Sequence, residues 1–246
     1  MRLAGKIAVV TGGGSGIGHA IAVAMAREGA QVAIAGRDRE KLDRVATEIG
    51  AACLPVAADV ANLQDINVLV AAALDRFHAI HILVNNAGVL LPGSAESLTE
   101  TQWDQTFNIN VRGMWLLTRA VLPHLRAAGG GSILNIGSVL SFVGARNRVA
   151  YAASKGAVLA MTRAMALDLA PDKIRVNCIC PGIVETEMVI AFQMDEATRK
   201  QRLALHPLGR FGQPEDIAGL TVFLASEESS WITGAAYPVD GGYSAM

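Results

Sequence analysis

Ser138, Tyr151 and Lys155 have the side-chain types and the spacing of a proton-transfer site. Tyr151 and Lys155 lie four residues apart in an alanine-rich segment that favours a helix, so their side chains should leave the same helix face. A phenol has a pKa of roughly 10 in water, and a neighbouring ammonium group is expected to lower it toward neutrality, where an acid–base group works best. Ser138 follows a strand-like run and could hold a substrate oxygen against the Tyr151 hydroxyl. The three residues would together pass a proton to or from a carbonyl or alcohol oxygen.

A tyrosine and a lysine at this spacing also occur by chance, so the hypothesis depends on a glycine-rich turn near the start of the chain. The strand-like run Lys6–Val10 leads into TGGGSGIG, the glycine turn (Thr11–Gly18), and then into the apolar helix His19–Glu28. Glycines let the backbone approach a pyrophosphate, and the helix N-terminus offers unpaired N–H groups. Five glycines in seven positions exceed the needs of a bare turn, although the spacing is not G-x-G-x-x-G. The turn therefore predicts a dinucleotide site formed by Gly12, Ser15, Gly16, Ile17 and Gly18.

The end of the second predicted strand, Gln31–Ala35, should select between NADP and NAD. An acid there would bind the adenosine ribose hydroxyls of NAD, whereas a basic residue would accept the extra phosphate of NADP. Gly36 stands at the position of the acid and Arg37 follows it, which favours NADP(H). A strand ending two residues later would place Asp38 on the ribose and favour NAD(H). Arg37 and Asp38 could also simply open the following charged helix.

Two further strand ends carry candidate cofactor residues. Asp59 and Val60 follow the predicted strand Ala52–Ala57, where an acid could accept the adenine amino group or act as the N-cap of the helix Ala61–Phe77. Asn85-Asn86-Ala87-Gly88 follows the strand Ile80–Val84. The small residues Ala87 and Gly88 would let the cofactor lie against the backbone, and the asparagines would fasten neighbouring strand ends. The same sequence is also compatible with an ordinary Asn-Gly-rich turn.

A long amphipathic helix is predicted over Ser97–Arg126, with Thr99 and Gln102 at capping-box spacing. Its apolar stripe is interpreted as core or subunit interface; the residues are Trp103, Phe107, Val111, Trp115 and Leu122. The polar residue Asn110 interrupts this apolar stripe. Asn110 is either a surface residue or marks a helix distortion at which its amide and a freed carbonyl hold a water.

The second half of the chain continues the alternation of strands and helices. The helix Tyr151–Ala170 is apolar almost all round, so one side should lie on the sheet and the other on a partner subunit. The strand Ile174–Cys180 leads to Pro181-Gly182-Ile183-Val184-Glu185-Thr186. Glu187–Gln213, the excursion, is mixed in polarity and long, which predicts a segment that covers the site and selects the substrate.

The order of elements predicts an α/β fold: one Rossmann-type domain over residues 1–246, with a doubly wound parallel sheet of six to seven strands. A (β/α)₈ barrel is the alternative. It would need an eighth strand and gives no reason for glycines after the first strand.

Composition excludes several functional classes. The net charge is −1 with scattered Lys and Arg, which gives no electrostatic footprint for nucleic acid. No apolar run approaches the ~18 residues needed to cross a bilayer. The three cysteines, Cys53, Cys178 and Cys180, are interpreted as small core residues in a reducing cytoplasm, and their number and spacing do not predict a metal site.

Taken in order along the chain, these motifs resemble the short-chain dehydrogenase/reductase family. The matching residues are TGGGSGIG (Thr11–Gly18), NNAG (Asn85–Gly88), Asn110, Ser138, YAASK (Tyr151–Lys155) and Pro181-Gly182. Each motif alone is weak, but six in the family's order cover essentially the whole chain.

The resemblance implies a role for each of these residues. Tyr151 would be the general acid/base, Lys155 would lower its pKa and bind the nicotinamide ribose, and Ser138 would orient the substrate oxygen. Asn110 would hold a water that connects Lys155 to solvent.

The same resemblance implies the contacts at both ends of the cofactor. Thr186, with the backbone of Ile183 and Val184, would hold the nicotinamide carboxamide, next to Pro181 and Gly182. Asp59 and Val60 would flank the adenine. Family members are commonly tetramers.

The substrate is expected to be a small carbonyl or alcohol compound, and the runner-up is a 3-oxoacyl group on a carrier protein. The stretches comparable to the basic residues of carrier-protein reductases are Arg126–Ser132 and Pro171–Ile174, which are glycine-rich and acid-containing. Arg146, Asn147 and Arg148 either receive a carboxylate or hydroxyl-rich substrate or form a solvated loop. Some relatives eliminate halide without nicotinamide and have a replaced glycine loop, so the intact glycine turn argues against that activity. The intact proton-transfer residues argue against a non-catalytic scaffold function.

Overall fold

Seven parallel strands form the centre of the computed structural model, which describes residues 1–190 and 195–245. They lie in the order β3-β2-β1-β4-β5-β6-β7, with every neighbouring pair parallel. The strands are β1 (Ile7–Thr11), β2 (Gln31–Gly36), β3 (Cys53–Ala57), β4 (Ile82–Asn85), β5 (Gly131–Ile136), β6 (Ile174–Pro181) and β7 (Ala236–Val239). The chain reverses direction across the sheet between β1 and β4, so their carboxyl ends flank a crevice. The predicted doubly wound fold is confirmed, and the open sheet excludes a barrel.

Helices cover both faces of this sheet, as strands buried on both sides require. The helices are α1 (Gly16–Arg27), α2 (Arg39–Ile49), α3 (Leu63–Phe77), α4 (Glu100–Phe107), α5 (Met114–Ala127), α6 (Val149–Leu169), α7 (Glu187–Ile190), α8 (Glu196–Leu203) and α9 (Pro214–Ala225). On one face, Ile21 of α1 and Val222 of α9 pack in a core with the strands. On the other face, α3, α5 and α6 contribute residues such as Leu69 and Leu117.

Several helices begin at other residues than predicted, and the starts of α1 and α3 bear on the cofactor site. α1 begins at Gly16 rather than His19, because the last glycines of the glycine turn belong to its first turn. α3 begins at Leu63, where the side chain of Asn62 accepts a hydrogen bond from the backbone N–H of Gln64. Asp59 is therefore not the N-cap of this helix, so the interpretation of Asp59 as a cap is wrong.

The predicted long helix over 97–126 is interrupted. α4 begins with the predicted capping box of Thr99 and Gln102, but residues 108–113 form a π-helical segment before α5. Asn110 lies in this segment and is only 2% exposed, so it is not a surface residue. The alternative interpretation, a helix distortion at Asn110, is confirmed.

Large apolar side chains remain on the surface of α5 and α6. Trp115 is 44% exposed and Leu167 is 79% exposed. They lie on the stripe and the helix for which a subunit interface is predicted. In the described ranges, no helix combines the length and the apolar character needed to cross a membrane.

Candidate active site

A cavity of about 330 Å³ opens at the carboxyl ends of the strands and brings most of the predicted site residues together. The predicted residues that line it are Gly12, Ser15, Gly16, Ile17, Asn86, Ala87, Gly88, Ser138, Tyr151, Lys155, Pro181, Gly182, Val184 and Thr186. The predicted residues outside its lining are Gly18, Arg37, Asp59, Val60 and Asn110. One cavity therefore joins the glycine turn to the predicted proton-transfer residues.

The glycine turn packs so closely that side chains would not fit. Gly12 has φ +65°, and a Cβ on Gly18 would lie 2.2 Å from the Gly12 carbonyl oxygen. Ser15 is the N-cap of α1 yet makes no side-chain capping hydrogen bond within the described residues. The first N–H groups of α1 thus face the cavity with a glycine backbone beside them, which fits the pyrophosphate of a dinucleotide.

Hydrogen bonds fasten β4 to its neighbours, as predicted for the asparagines. Thr11 Oγ1 accepts from the backbone N–H of Asn86 and of Ala87, both at 3.0 Å. Asn85 Nδ2 donates to Asn135 Oδ1 at 2.9 Å across the β4–β5 pair. Side-chain bonds therefore hold the backbone of Asn86–Gly88 against the glycine turn.

Tyr151 and Lys155 lie on one face of α6 and both line the cavity, as the four-residue spacing predicts. Lys155 is 5% exposed, its Nζ donates to the Ile136 carbonyl oxygen at 2.7 Å, and it lies 5.7 Å from the centroid of the Tyr151 ring. Ser138 is buried two residues after β5, where its Oγ accepts from the backbone N–H of Leu140 at 3.1 Å. The end of β5 and the first turns of α6 thus set the three side chains around one point.

Burial shifts both pKa values in the direction of the neutral form. The pKa of the Tyr151 phenol is raised by burial, against the opposing effects of hydrogen bonding with Ser138 and of the Arg148 charge. Burial lowers the pKa of the Lys155 ammonium to about 8. The predicted lowering of the Tyr151 pKa by Lys155 is therefore not what the protein alone shows, because desolvation outweighs the nearby positive charges. At neutral pH, Tyr151 is a phenol and Lys155 is mostly charged.

Asn110 connects the π-helical segment to α6 and to the loop after β4. Its Oδ1 accepts from the Val89 N–H at 2.8 Å, and its Nδ2 donates to the Val89 carbonyl at 2.9 Å and to Ser154 Oγ at 3.0 Å. A Cβ built on Gly88 would lie 3.2 Å from Asn110 Oδ1 and 3.7 Å from Lys155 Nζ. Asn110 thus stands close behind Lys155, although it does not line the cavity.

The predicted adenosine residues lie at neighbouring strand ends. The Ala58 N–H donates to the Gly36 carbonyl at 2.9 Å, which brings Arg37 and Asp59 to the same edge of the sheet. Arg37 is exposed. Asp38 is the N-cap of α2 and its Oδ1 accepts from the Lys41 N–H at 3.1 Å. Asp59 Oδ1 accepts from the Ala61 N–H at 2.9 Å.

The excursion contributes to the cavity wall, and residues 191–194 of it lie outside the described residues. Glu187, Met188 and Val189 line the cavity from α7, and Arg202 lines it from α8. Lys41 of α2 forms an ion pair with Glu187, so α2 is joined to the excursion beside the glycine turn. Sequence reasoning missed this pair and the place of Arg202, because no local pattern links residues so distant in the chain.

Of the three residues Arg146, Asn147 and Arg148, only Arg148 lines the cavity. Arg146 and Asn147 are exposed, as the solvated-loop interpretation predicts. Arg148 is half-buried, its backbone pairs with that of Gly93 in an isolated bridge, and its charge acts on Tyr151.

Cys178 and Cys180 are buried behind the site, as predicted, and Cys53 is half-buried. The sulfurs of Cys178 and Cys180 lie 3.6 Å apart without a disulfide bond. The described part of the chain contains no group of three or more His, Cys, Asp or Glu placed to hold a metal ion.

Comparison with known proteins supports this geometry. Residues 12–244 match the family model described as enoyl-(acyl-carrier-protein) reductase. The chain is 38% identical to 2-(S)-hydroxypropyl-CoM dehydrogenase 3 of Xanthobacter autotrophicus (100% of this chain, 99% of the relative). It is also 38% identical to the 3-oxoacyl-[acyl-carrier-protein] reductase of Thermotoga maritima (98% and 99%).

Solved structures agree with these relatives. The 3-ketoacyl-(acyl-carrier-protein) reductase of Brucella melitensis, complexed with NADH, superposes with a TM-score of 0.92 at 40% identity, covering 98% of this chain and 99% of that one. The family match, the identities over whole chains and the shared fold give one conclusion: this chain belongs to the short-chain dehydrogenase/reductase family, whose members are oxidoreductases acting on CH–OH and C=O groups.

Proposed function

We propose that this protein interconverts a ketone and a secondary alcohol by hydride transfer, with Tyr151 as the general acid/base and Ser138, Lys155 and Asn110 supporting it. The observation that carries this proposal is the single cavity lined by the glycine turn at one end and by Ser138, Tyr151 and Lys155 at the other. A nicotinamide dinucleotide bound there supplies or accepts the hydride.

The side chains then have separate tasks. Ser138 and the Tyr151 hydroxyl hold the substrate oxygen, which polarises the carbonyl and fixes its distance from the cofactor site. In reduction, Tyr151 donates its proton to that oxygen. In oxidation, the Tyr151 phenolate accepts the alcohol proton, and the charged Lys155 nearby stabilises the phenolate.

The proton on Tyr151 must be renewed from solvent. Lys155 and Asn110 would form the route, because both lie next to Gly88 on the protein side of the cavity. Asn110 would hold a water in line with Lys155, at the point where the π-helical segment widens the helix. This assignment follows the family resemblance and is supported by the burial of Asn110.

NADP(H) is the proposed cofactor, with NAD(H) as the alternative. Arg37 is exposed at the end of β2, where the adenosine phosphate of NADP would lie, whereas Asp38 is engaged as the N-cap of α2. Asp59 and Val60 would flank the adenine. At the other end, Thr186 and the backbone of Ile183 and Val184 would hold the carboxamide.

A homotetramer is the proposed assembly, and the cytoplasm is the proposed location. Large apolar side chains on α4, α5 and α6 support association, because Trp103, Trp115 and Leu167 are exposed and contact with a second copy of the chain would bury them. Unbridged cysteines are compatible with a reducing compartment. Light scattering of the purified protein checks the assembly, and a monomeric mass would contradict it.

A 3-oxoacyl group on a carrier protein is the second candidate substrate, because relatives of this chain bear that activity in their names. The stretch near Arg126 provides little positive charge for an acidic carrier, since Arg126 is paired with Asp172 at 2.7 Å. A small free carbonyl compound therefore remains the first choice.

The test is an assay of ketones, secondary alcohols and a 3-oxoacyl pantetheine thioester with each cofactor. Turnover is measured from the absorbance of the reduced nicotinamide. Turnover of at least one ketone or alcohol, faster with NADP(H), is expected. Turnover of the thioester alone would favour the second candidate, and no turnover in either direction would refute the proposed function.

A further inference from the structure

The turn that carries Ser138 is short and receives little support from the chain that follows it. Ser138 is the N-cap of the 3₁₀ helix Val139–Ser141, which comes directly after the end of β5 and Gly137. Phe142 is 44% exposed, and residues 144–147 are exposed as well. The position of the Ser138 hydroxyl is therefore set by contacts within the turn and with the elements behind it.

The hydroxyl of Ser141 makes hydrogen bonds on both sides of this turn. Its Oγ accepts from the backbone N–H of Ser138 at 3.3 Å and donates to the carbonyl oxygen of Lys155 in α6 at 2.9 Å. The first bond closes the turn on Ser138. The second bond fastens the turn to the helix that carries Tyr151 and Lys155, so one side chain joins the two elements of the proton-transfer site.

Lys155 contacts the same segment at a second point. Its Nζ donates to the Ile136 carbonyl oxygen at the end of β5 at 2.7 Å, while its own carbonyl oxygen accepts from Ser141. The two bonds hold both ends of residues 136–141 against α6. Ser138 lies between these two points, so the loss of either bond would leave its hydroxyl less well fixed.

The other side of the turn packs against β6. A Cβ on Gly137 would lie 2.7 Å from Cys178 Sγ, 3.0 Å from Cys180 Sγ and 3.3 Å from Ser141 Oγ. Such close packing leaves the turn no room to move toward β6. The open space beside it is the cavity, which Ser138 lines. A turn released from α6 would therefore shift toward the cavity and move the Ser138 hydroxyl relative to the substrate.

We propose that Ser141 is a positioning residue for the reaction: its two hydrogen bonds hold the Ser138 hydroxyl where, together with Tyr151, it can orient the substrate oxygen. Ser141 is outside the cavity lining, so it acts through Ser138 and not on the substrate. A small displacement of an orienting group lowers the rate, because the reacting atoms must be held in a narrow range of geometry. This inference rests on the proposed ketone–alcohol activity and adds a residue to its machinery.

The experiment is a double-mutant cycle of Ser138→Ala and Ser141→Ala, with kcat measured for a ketone that the wild-type enzyme reduces. Ser141→Ala alone should lower kcat by about 5- to 50-fold, the order of magnitude of two lost hydrogen bonds. In the Ser138→Ala background the same change should cost less than about twofold, because no hydroxyl is left to position. The Kd for the cofactor should stay within about twofold of the wild type in all variants.

The pH profile of oxidation provides a second readout, which a general loss of stability would not move. Burial raises the pKa of Tyr151, and hydrogen bonding with Ser138 opposes that rise. A displaced Ser138 opposes it less, so the pKa of Tyr151 increases and the phenolate needed for oxidation forms only at higher pH. The profile of kcat/KM for oxidation should therefore move to higher pH in Ser141→Ala, as in Ser138→Ala.

Ser226→Ala is the matched control, because Ser226 makes the same two kinds of bond outside the cavity lining. Its Oγ accepts from the backbone N–H of Glu228 at 3.3 Å and donates to the Phe223 carbonyl oxygen at 2.8 Å. Ser226→Ala should lower the midpoint of thermal unfolding, as Ser141→Ala does. Its kcat and its pH profile should remain those of the wild type.

The outcomes separate this inference from the function on which it rests. An unchanged kcat in Ser141→Ala, losses that multiply in the double variant, or an oxidation profile that does not move each overturn the positioning role while the activity stands. An equal loss of kcat in Ser226→Ala also overturns it. If no compound is turned over, the proposed function fails, and crystal structures of the wild type and Ser141→Ala still decide. A displaced Ser138 hydroxyl supports the positioning role, and an unmoved one overturns it.

Discussion

The two halves of the cavity are built in different ways. The cofactor half is mostly backbone: Gly12, Gly16 and the strand ends come so close together that side chains are excluded. The substrate half is made of side chains from the start of α6 and from α7 and α8, such as Arg148 (the N-cap of α6), Met188 and Arg202. Backbone geometry suits a dinucleotide, a ligand that many enzymes share, whereas side chains that vary between enzymes adapt one fold to different substrates.

The largest expected effect is the separation of chemistry from cofactor binding by Tyr151→Phe. This change removes one hydroxyl from the substrate half, so kcat should fall by about 10²- to 10⁴-fold, the usual contribution of a general acid or base. The cofactor half is untouched, so the Kd for NADPH should stay within about twofold of the wild type. Stopped-flow kinetics and fluorescence titration measure the two quantities. Retained turnover would show that another group moves the proton.

Gly18→Ala should weaken cofactor binding, in contrast to Tyr151→Phe, because it alters the cofactor half. Its Cβ would meet the Gly12 carbonyl oxygen at 2.2 Å, so the turn must shift, at a cost of ~1–3 kcal/mol. We expect a lower midpoint of thermal unfolding and a Kd for the cofactor raised about 5- to 100-fold. Gly219→Ala is the matched control, because it lies in α9 with open space around its Cβ and should keep or raise stability. Equal behaviour of the two variants would contradict the close packing of the turn.

Arg37→Ala should change the choice of cofactor without affecting the substrate half. Loss of a charged contact to the adenosine phosphate would raise the KM for NADPH by about 10- to 100-fold and leave that for NADH nearly unchanged. Steady-state kinetics with both cofactors measure the ratio. If both values move together, or neither moves, Arg37 does not contact the phosphate and NAD(H) becomes the better assignment.

The pH dependence should have opposite signs in the two directions. Burial raises the pKa of Tyr151, so the phenol needed for reduction is present at neutral pH, and the phenolate needed for oxidation is scarce there. Oxidation should therefore accelerate with pH by at most tenfold per pH unit. Reduction should be level below about 8, the pKa to which burial lowers Lys155, and should decline above it as Lys155 loses its charge. Profiles of kcat/KM that rise together in both directions would contradict this assignment.

The sequence predicts the cofactor half and the catalytic residues because their signals are local. Five clustered glycines mark a turn that only small residues tolerate, and Tyr151 and Lys155 share a face by helical spacing alone. The π-helical segment at Asn110 was predictable only as one of two alternatives, since a polar residue on an apolar stripe is compatible with a surface position as well.

The substrate half was harder to predict. Arg202 reaches the cavity from more than fifty residues beyond Tyr151, and its position depends on how α8 packs through His206. Arg148 and Arg146 have the same chemistry and lie two residues apart, yet only Arg148 lines the cavity, and no local sequence pattern distinguishes the two. The Tyr151 pKa was predicted with the wrong sign, because desolvation is a property of the folded cavity and not of the Tyr–Lys spacing.

The ion pair between Lys41 and Glu187 should make the enzyme's kinetics depend on salt. It joins α2 to the excursion beside the glycine turn, and both side chains are partly open to water. A dinucleotide lying along the glycine turn would be enclosed by this contact, so its departure requires two opposite charges to part. Added electrolyte screens such a pair. The rate constant for cofactor release should then increase with ionic strength, whereas the rate constant for hydride transfer should stay the same.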